Sequence, residues 1–349
     1  MLAQGRLVFL ALLLSALVVA RPARAARDVS IFYYPWYGIP ARDGSYEHWA
    51  QNGHLPPADI AASYYPARGV YSSSDPRVLA SQMREIATAG VTEVVSSWWG
   101  WGSPEDLRLP AVIQAARAQG LKLAVQIEPY ERWPRTENVL AADLAHLADL
   151  GIGRVYVFRP FDGVIDDGGW TRLNAAAQAR GMEVLAQTGN VARAAAAGFA
   201  GVYTYDLLRY GPATFRRLCS RAHAAGLLCA PSVGPGYDAL RARGDPRLLS
   251  RRKGATYDGM WLAALRSGAD RVTITSYNEW HEGTQIEPAR SFAARRLASS
   301  PVVPAYQSYE GAFGLRGRAA ELAYLLRTRL WALAYRASAS LRAFGLLIP

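Results

Sequence analysis

Two carboxylates three residues apart, Glu279 and Glu282, stand in the segment Ser276-Tyr277-Asn278-Glu279-Trp280-His281-Glu282-Gly283-Thr284-Gln285-Ile286-Glu287, interleaved with an indole and an imidazole. The run directly before them, Arg271-Val272-Thr273-Ile274-Thr275, is rich in β-branched residues and predicts a buried strand. Packing gives a core strand no reason to end in two acids and two aromatic rings. Cleaving a bond between sugars does give one, because it needs a proton donor, a base and an apolar wall for the ring. Enzymes that retain configuration hold two such carboxyls ~5 Å apart, and inverting ones ~6.5–9.5 Å apart. In a tight turn after a strand both acids can face one pocket. Repulsion and partial burial there push their pKa values apart and supply one acid and one base. Glu287 reads as structural. His281 reads as a hydrogen-bonded or sugar-contacting histidine, since the chain offers it no evident companions for a metal.

The elements that must position these groups follow a simple alternation. Short apolar stretches at 29–34, 93–97, 121–127, 154–158, 182–187, 200–203, 227–231 and 271–275 predict strands. Alanine-rich amphipathic stretches at 76–89, 109–119, 139–150, 173–180, 212–225 and 257–267 predict helices. Several of these helices end at a glycine just before the next strand, as at Gly90, Gly120, Gly151, Gly181 and Gly226. Strand–helix alternation repeated eight times argues for a single (β/α)8 TIM barrel, with long loops at 35–74 and 232–254 on the C-terminal face of the strands. No Gly-x-Gly-x-x-Gly follows the first strand, which argues against a doubly wound dinucleotide fold. The basic amphipathic stretch 319–335 reads as the last outer helix, with a membrane-surface helix as the alternative.

Composition narrows the partners. The 349 residues are 51% hydrophobic and 19% charged, enough for a substantial core, and the formal net charge is +11. Lysine occurs only at positions 122 and 253, and the arginines are scattered, so the charge reads as a solvated basic surface and not a phosphate-binding stripe. Nucleic acid is therefore not an expected partner. Residues 7–20 carry no charge, and Ala23-x-Ala25 has signal-peptidase spacing. Residues 1–25 are expected to be a secretory signal peptide, and 26–349 one exported catalytic domain, secreted or periplasmic. An uncleaved anchor is the alternative, although a spanning helix needs ~20 apolar residues. No later stretch is long and apolar enough to insert stably. Cys219 and Cys229 form one disulfide or remain two buried thiols.

In a barrel of this kind the active site lies where the strands end. Those ends carry Tyr-Tyr-Pro-Trp-Tyr-Gly at 33–38, Trp-Trp-Gly-Trp at 98–101, Glu-Pro-Tyr at 128–130, Tyr-Thr-Tyr-Asp at 203–206 and Pro-Gly-Tyr-Asp at 235–238. Aromatic faces stack on pyranoses, and carboxylates accept their hydroxyl hydrogens.

Tyr-Asn-Glu-Trp-His-Glu-Gly-Thr-Gln-Ile-Glu at 277–287 resembles the signature of glycoside hydrolase family 99, the endo-α-mannosidases. The strand-end motifs above, His48-Trp49 and Tyr-Ser-Ser-Ser-Asp-Pro at 71–76 occur in the order that family shows, over 31–289. The resemblance implies a (β/α)8 barrel without metal or other cofactor, cleaving α-mannosidic linkages internally with retention. It also implies an attack on the anomeric carbon by the substrate's own 2-hydroxyl, giving a 1,2-anhydro sugar. Glu279 would then assist deprotonation of that hydroxyl, and Glu282 would protonate the leaving oxygen and later activate water. Tyr34, Trp36, His48, Trp98, Trp99, Glu128, Tyr203, Tyr205, Tyr237 and His281 are the candidates for contacting an oligosaccharide or polysaccharide, and a monomer is expected. The chain departs from the family at Phe158-Arg159-Pro160-Phe161-Asp162 and over 240–254. A related barrel acting in surface-polysaccharide assembly, or a glycan-binding protein without catalysis, are the rival readings.

Overall fold

Pro231 lies inside the stretch 227–231 expected to be one strand, and a proline cannot donate to a sheet ladder. In the computed structural model, which describes residues 27–130, 134–291 and 306–343, that proline divides the strand in two. The strands are β1 (Val29–Tyr33), β2 (Glu93–Trp98), β3 (Lys122–Ile127), β4 (Arg154–Val157), β5 (Glu183–Gln187), β6 (Gly201–Tyr203), β7 (Leu228–Ala230), β8 (Ser232–Val233), β9 (Tyr237–Asp238), β10 (Leu248–Leu249) and β11 (Val272–Ile274). β7 pairs with β6, while β8 pairs with β11, Ser232 opposite Thr273. The order β7-β6-β5-β4-β3-β2-β1-β11-β8 therefore returns to its starting strand, and the sheet is a parallel (β/α)8 barrel. The Pro231 carbonyl still accepts from Thr273 N–H (3.1 Å), so the proline costs a donor but no closure. The expected signal segment lies outside the described residues.

The two ends of the barrel handle charge differently. At the strand starts, Arg154 lies between Glu93 and Glu183, and Arg271 also reaches Glu183 (3.0 Å). Glu93 further accepts from Ser30 Oγ (2.8 Å) and Tyr156 Oη (3.0 Å). Above this floor Phe32, Tyr156 and Tyr203 fill the interior, with ring centroids 5.1–5.9 Å apart. Buried charge at the floor is thus paired charge, the arrangement that limits its desolvation cost.

Helices begin and end largely where local chemistry directs. Asp75 caps Pro76–Thr88 by accepting from Arg77 N–H, and Gly90, at φ 79°, turns the chain into the next strand. Two helices start earlier than the periodicity predicts. Pro104–Arg117 is launched by Ser103 and carries Pro110 inside it, and Asp167–Ala179 has glycines in its first turn. In both, helix-poor residues hide the start from propensity, and the capping side chain sets it. The last helix, Ala323–Ala343, packs between Pro76–Thr88 and Ala255–Arg266 as an outer barrel helix. Trp331 stacks on Trp261, and Arg327 forks onto Asp258. Cys219 and Cys229 are disulfide-bonded, tying helix Pro212–Ala224 to β7.

Candidate active site

The turn that leaves β11 is clasped at its base. Ser276 N–H donates to Thr284 O (2.9 Å), the two side-chain hydroxyls meet at 2.9 Å, and Ile286 N–H returns to Ser276 O (2.9 Å). Asn278 locks the turn to the end of β1: its Oδ1 accepts from Tyr34 N–H (2.8 Å) and its Nδ2 donates to Tyr34 O (2.9 Å). Gly283, at φ 61°, lets the chain pass Asp238, whose N–H donates to Glu282 O (2.7 Å). Glu279 and Glu282 are held inside this clasp, at the C-terminal mouth of the barrel.

Glu279 is 1% exposed and lies deep. Its Oε1 accepts from His281 N–H (3.1 Å), with His281 Nδ1 at 3.6 Å. Glu282 faces an open cleft of about 470 Å³. Its carboxylate accepts from Tyr205 Oη (3.3 Å) and from Arg243 Nη1 (3.3 Å). Tyr205 Oη in turn lies 2.5 Å from Tyr34 Oη. Burial first, and the charge of Glu282 second, hold the Glu279 carboxyl well above the usual carboxylate range. Burial also raises Glu282, against the opposing pull of Arg243 and the Tyr205 hydroxyl. The pair therefore keeps a proton at pH values where free carboxyls have lost theirs, and it titrates as a unit.

Glu128, at the end of β3, is the third carboxyl of the mouth. It accepts from Ser97 Oγ (2.9 Å) and Gln126 Nε2 (2.7 Å), and burial raises its pKa to about 7. One wall is aromatic. Trp36 stacks on His48 (4.4 Å between centroids, 7° between planes), and His281 lies against both rings at 5.8 and 5.6 Å. Burial pushes His48 down to about 3 and His281 to about 4, so both rings are neutral near pH 7 and this wall carries no cation. His281 Nε2 donates to the His48 carbonyl (2.6 Å), which fixes its tautomer. Among the described residues no three His, Cys, Asp or Glu side chains converge as a metal site would require.

The sequence-selected residues divide into groups. Glu279, Glu282, Tyr34, Tyr205 and Glu128 gather at the mouth, and Trp36, His48 and His281 form the stacked wall. Tyr237 lines the cleft, its hydroxyl donating to Asp245 (2.7 Å). Trp99 is half-buried at the rim, with an indole N–H that has no hydrogen-bond partner. Two candidates are corrected. Trp98 is fully buried and donates its indole N–H to Asp106 (2.9 Å), so it offers no face to a sugar. Tyr203 is fully buried in the barrel interior. Its hydroxyl donates to Gln126 (3.2 Å), which places it beneath Glu128 as support. Glu287 is structural as expected: Arg68, Gln82, Tyr71 and Trp280 all bond its carboxylate at 2.8–2.9 Å.

Sequence reasoning missed Arg243, Gln126 and Phe158. Arg243 rides on the short helix Leu240–Arg243 within the β9–β10 hairpin, inside the stretch noted as atypical. Gln126 was visible as an amide inside an otherwise apolar strand. Phe158 sits edge-on to Tyr205 at 5.4 Å and lines the cleft.

The model of Glycosyl hydrolase family 99 matches residues 26–150 and 173–337 of this chain. A glycoprotein endo-alpha-1,2-mannosidase-like protein of Danio rerio is 32% identical, over 79% of this chain and 75% of its own length. The glycoprotein endo-alpha-1,2-mannosidase of Xenopus laevis is 30% identical, over 75% of this chain and 70% of its own. Among solved structures, the GH99 endo-alpha-mannosidase of Bacteroides thetaiotaomicron superposes with a TM-score of 0.77 at 28% identity, covering 89% of this chain and 98% of that one.

Proposed function

The chain belongs to glycosyl hydrolase family 99, and from that premise we infer that it is an exported endo-α-mannosidase acting with retention on α-mannans or on glucosyl- or mannosyl-mannose oligosaccharides. It is a glycoside hydrolase of the endo-α-mannosidase type. The uncharged run at 7–20 with Ala23-x-Ala25 supports export. The observation that carries the catalytic reading is the difference between two carboxyls on one turn: Glu279 buried and enclosed, and Glu282 half-buried and turned to the cleft beside Tyr205 and Arg243.

Glu279 takes the proton of the 2-hydroxyl of the mannose being cleaved. The freed oxygen attacks C1 of the same sugar, on the face opposite the leaving group, as an axial 2-hydroxyl allows. The C1–oxygen bond to the next sugar breaks, and Glu282 delivers its proton to that departing oxygen. Glu282, now ionised, then takes a proton from water. The hydroxide adds to C1, the three-membered ring opens, and Glu279 returns its proton to O2. Each carboxyl ends as it began, and two inversions at C1 give net retention. A raised pKa lets Glu282 hold its proton near neutral pH as the acid, and makes Glu279 a strong base once ionised. Burial favours the proton on Glu279 in the free enzyme, so the reaction requires the pair's proton to lie on Glu282 when sugar is bound. The Trp36–His48–His281 stack would present a neutral apolar face to the ring.

The test is product analysis over a panel of α-mannans and glucosylated manno-oligosaccharides. Wild type should release products of retained α-configuration from internal linkages, and Glu282→Gln should release none while melting normally. Near-normal turnover by Glu282→Gln would remove it as the acid.

A further inference from the structure

Leu322, Leu326, Leu330 and Leu333, on or at the start of the last helix, are 43%, 49%, 58% and 50% exposed. Their spacing puts them along one face. The opposite face supplies Tyr324, Thr328, Ala332 and Tyr335 to the barrel, so the leucine stripe is surplus to packing. Leu262 on the neighbouring helix is exposed as well, at 37%. Single exposed leucines need no explanation, but a stripe of four does.

The charges that the helix itself carries have one sign. Residues 322–343 contain arginine at 327, 329, 336 and 342 and no aspartate, glutamate or lysine. Arg329, Arg318 and Arg316 are exposed. The acids nearby are engaged: Asp258 accepts from Arg327 and Trp331, Glu321 accepts from Ser291, and Glu310 accepts from Gly317 N–H. A second copy laid on this face would bring cation against cation. A surface of anionic headgroups would satisfy the arginines and cover the leucines together, and arginine stems let the guanidinium reach outward while the methylenes stay apolar. The helix is not a span, since no helix among the described residues is long and apolar enough to cross a bilayer. Arg27, the first described residue, is tied to the same helix: it donates to Ser338 Oγ (2.9 Å) and stands 4.9 Å over the Tyr335 ring.

We propose that the last helix is a peripheral membrane-docking face, laying its leucine stripe and flanking arginines on an anionic lipid surface. Docking through a barrel side leaves the catalytic mouth free.

The full chain would be sedimented with phosphatidylglycerol-containing vesicles and with pure phosphatidylcholine vesicles, and its oligomeric state measured without lipid. Wild type should bind the anionic vesicles preferentially, with binding that weakens as salt rises. Leu326→Gln/Leu330→Gln/Leu333→Gln should lower the partition coefficient about ten-fold or more, while melting and turnover of a soluble oligosaccharide hold. Arg318→Gln/Arg329→Gln should remove the anionic preference. Wild-type binding that survives in the leucine variant would place the contact elsewhere, such as in residues 1–26. Failure of wild type to bind, or a leucine-dependent dimer, would overturn the proposal and in the second case assign the face to a second copy.

Discussion

Glu287 lies a short way along the turn from Glu282 and is fully buried, and four donors surround it, none of them facing the cleft. Removing its charge should therefore hurt the fold first. Glu287→Gln leaves Glu85 as the carboxylate partner of Arg68 among the described residues and loosens the bonds from Tyr71 and Trp280. The expected loss is about 2–4 kcal/mol in chemical denaturation, against little change for Glu282→Gln. Equal stability of the two variants would contradict this division. Arg243 acts on the other side of the same balance, because among the described residues it is the cation paired with Glu282 and favours the ionised form. Arg243→Met should raise the Glu282 pKa further, so the basic limb of the kcat/KM–pH profile moves upward, and Arg243→Lys should restore its position. An unmoved limb would mean that Arg243 only shapes the cleft. The two acids were legible in the sequence because nothing structural explains a Glu-Trp-His-Glu turn after an apolar strand. Arg243 was not legible, because one arginine among many in an irregular stretch carries no period and no neighbour that marks it.

At the scale of elements, the site depends on how closely the β11 turn passes the β9–β10 hairpin. A Cβ on Gly283 would meet Asp238 O at 2.8 Å and Asp238 N at 3.0 Å, and the residue sits at positive φ. Neither backbone atom can yield without moving Glu282, whose carbonyl accepts from that same Asp238 N–H. Gly283→Ala should cost about 1–3 kcal/mol of stability and lower kcat/KM by about ten-fold or more through displaced Glu282. Activity and stability measured together check this, and a variant with wild-type values of both would show that the turn tolerates the shift. Strands β1 to β6 and β11 were readable from apolar runs followed by helices with glycine ends. The β9–β10 hairpin was not, because two-residue strands are too short for any alternation to register. Trp98 misled for a related reason. A tryptophan at a strand end reads alike whether it faces the mouth or the helices, and only the bond to Asp106, launched from Ser103, decides it.

Over the whole molecule, the barrel places paired charge at its floor and underpaired carboxyls at its mouth. Glu128, Glu279 and Glu282 are all raised above the ordinary value, chiefly by burial. A carboxyl raised in the folded state contributes stability that is complete below its unfolded pKa and is lost as pH climbs through its folded one. For Glu128 that window runs from about 4.5 to about 7. The shift between those values corresponds to about 3 kcal/mol. Glu128→Gln keeps an oxygen that can accept from Ser97 and Gln126 but never ionises. Wild type and variant should therefore be nearly equal in stability at pH 4.5, with the variant ahead by up to about 3 kcal/mol at pH 8.5. Denaturant unfolding at the two pH values measures the difference directly. Parallel stability curves would show that the mouth is wetter than its burial implies, and the raised pKa values on which the acid–base pair relies would fall with them.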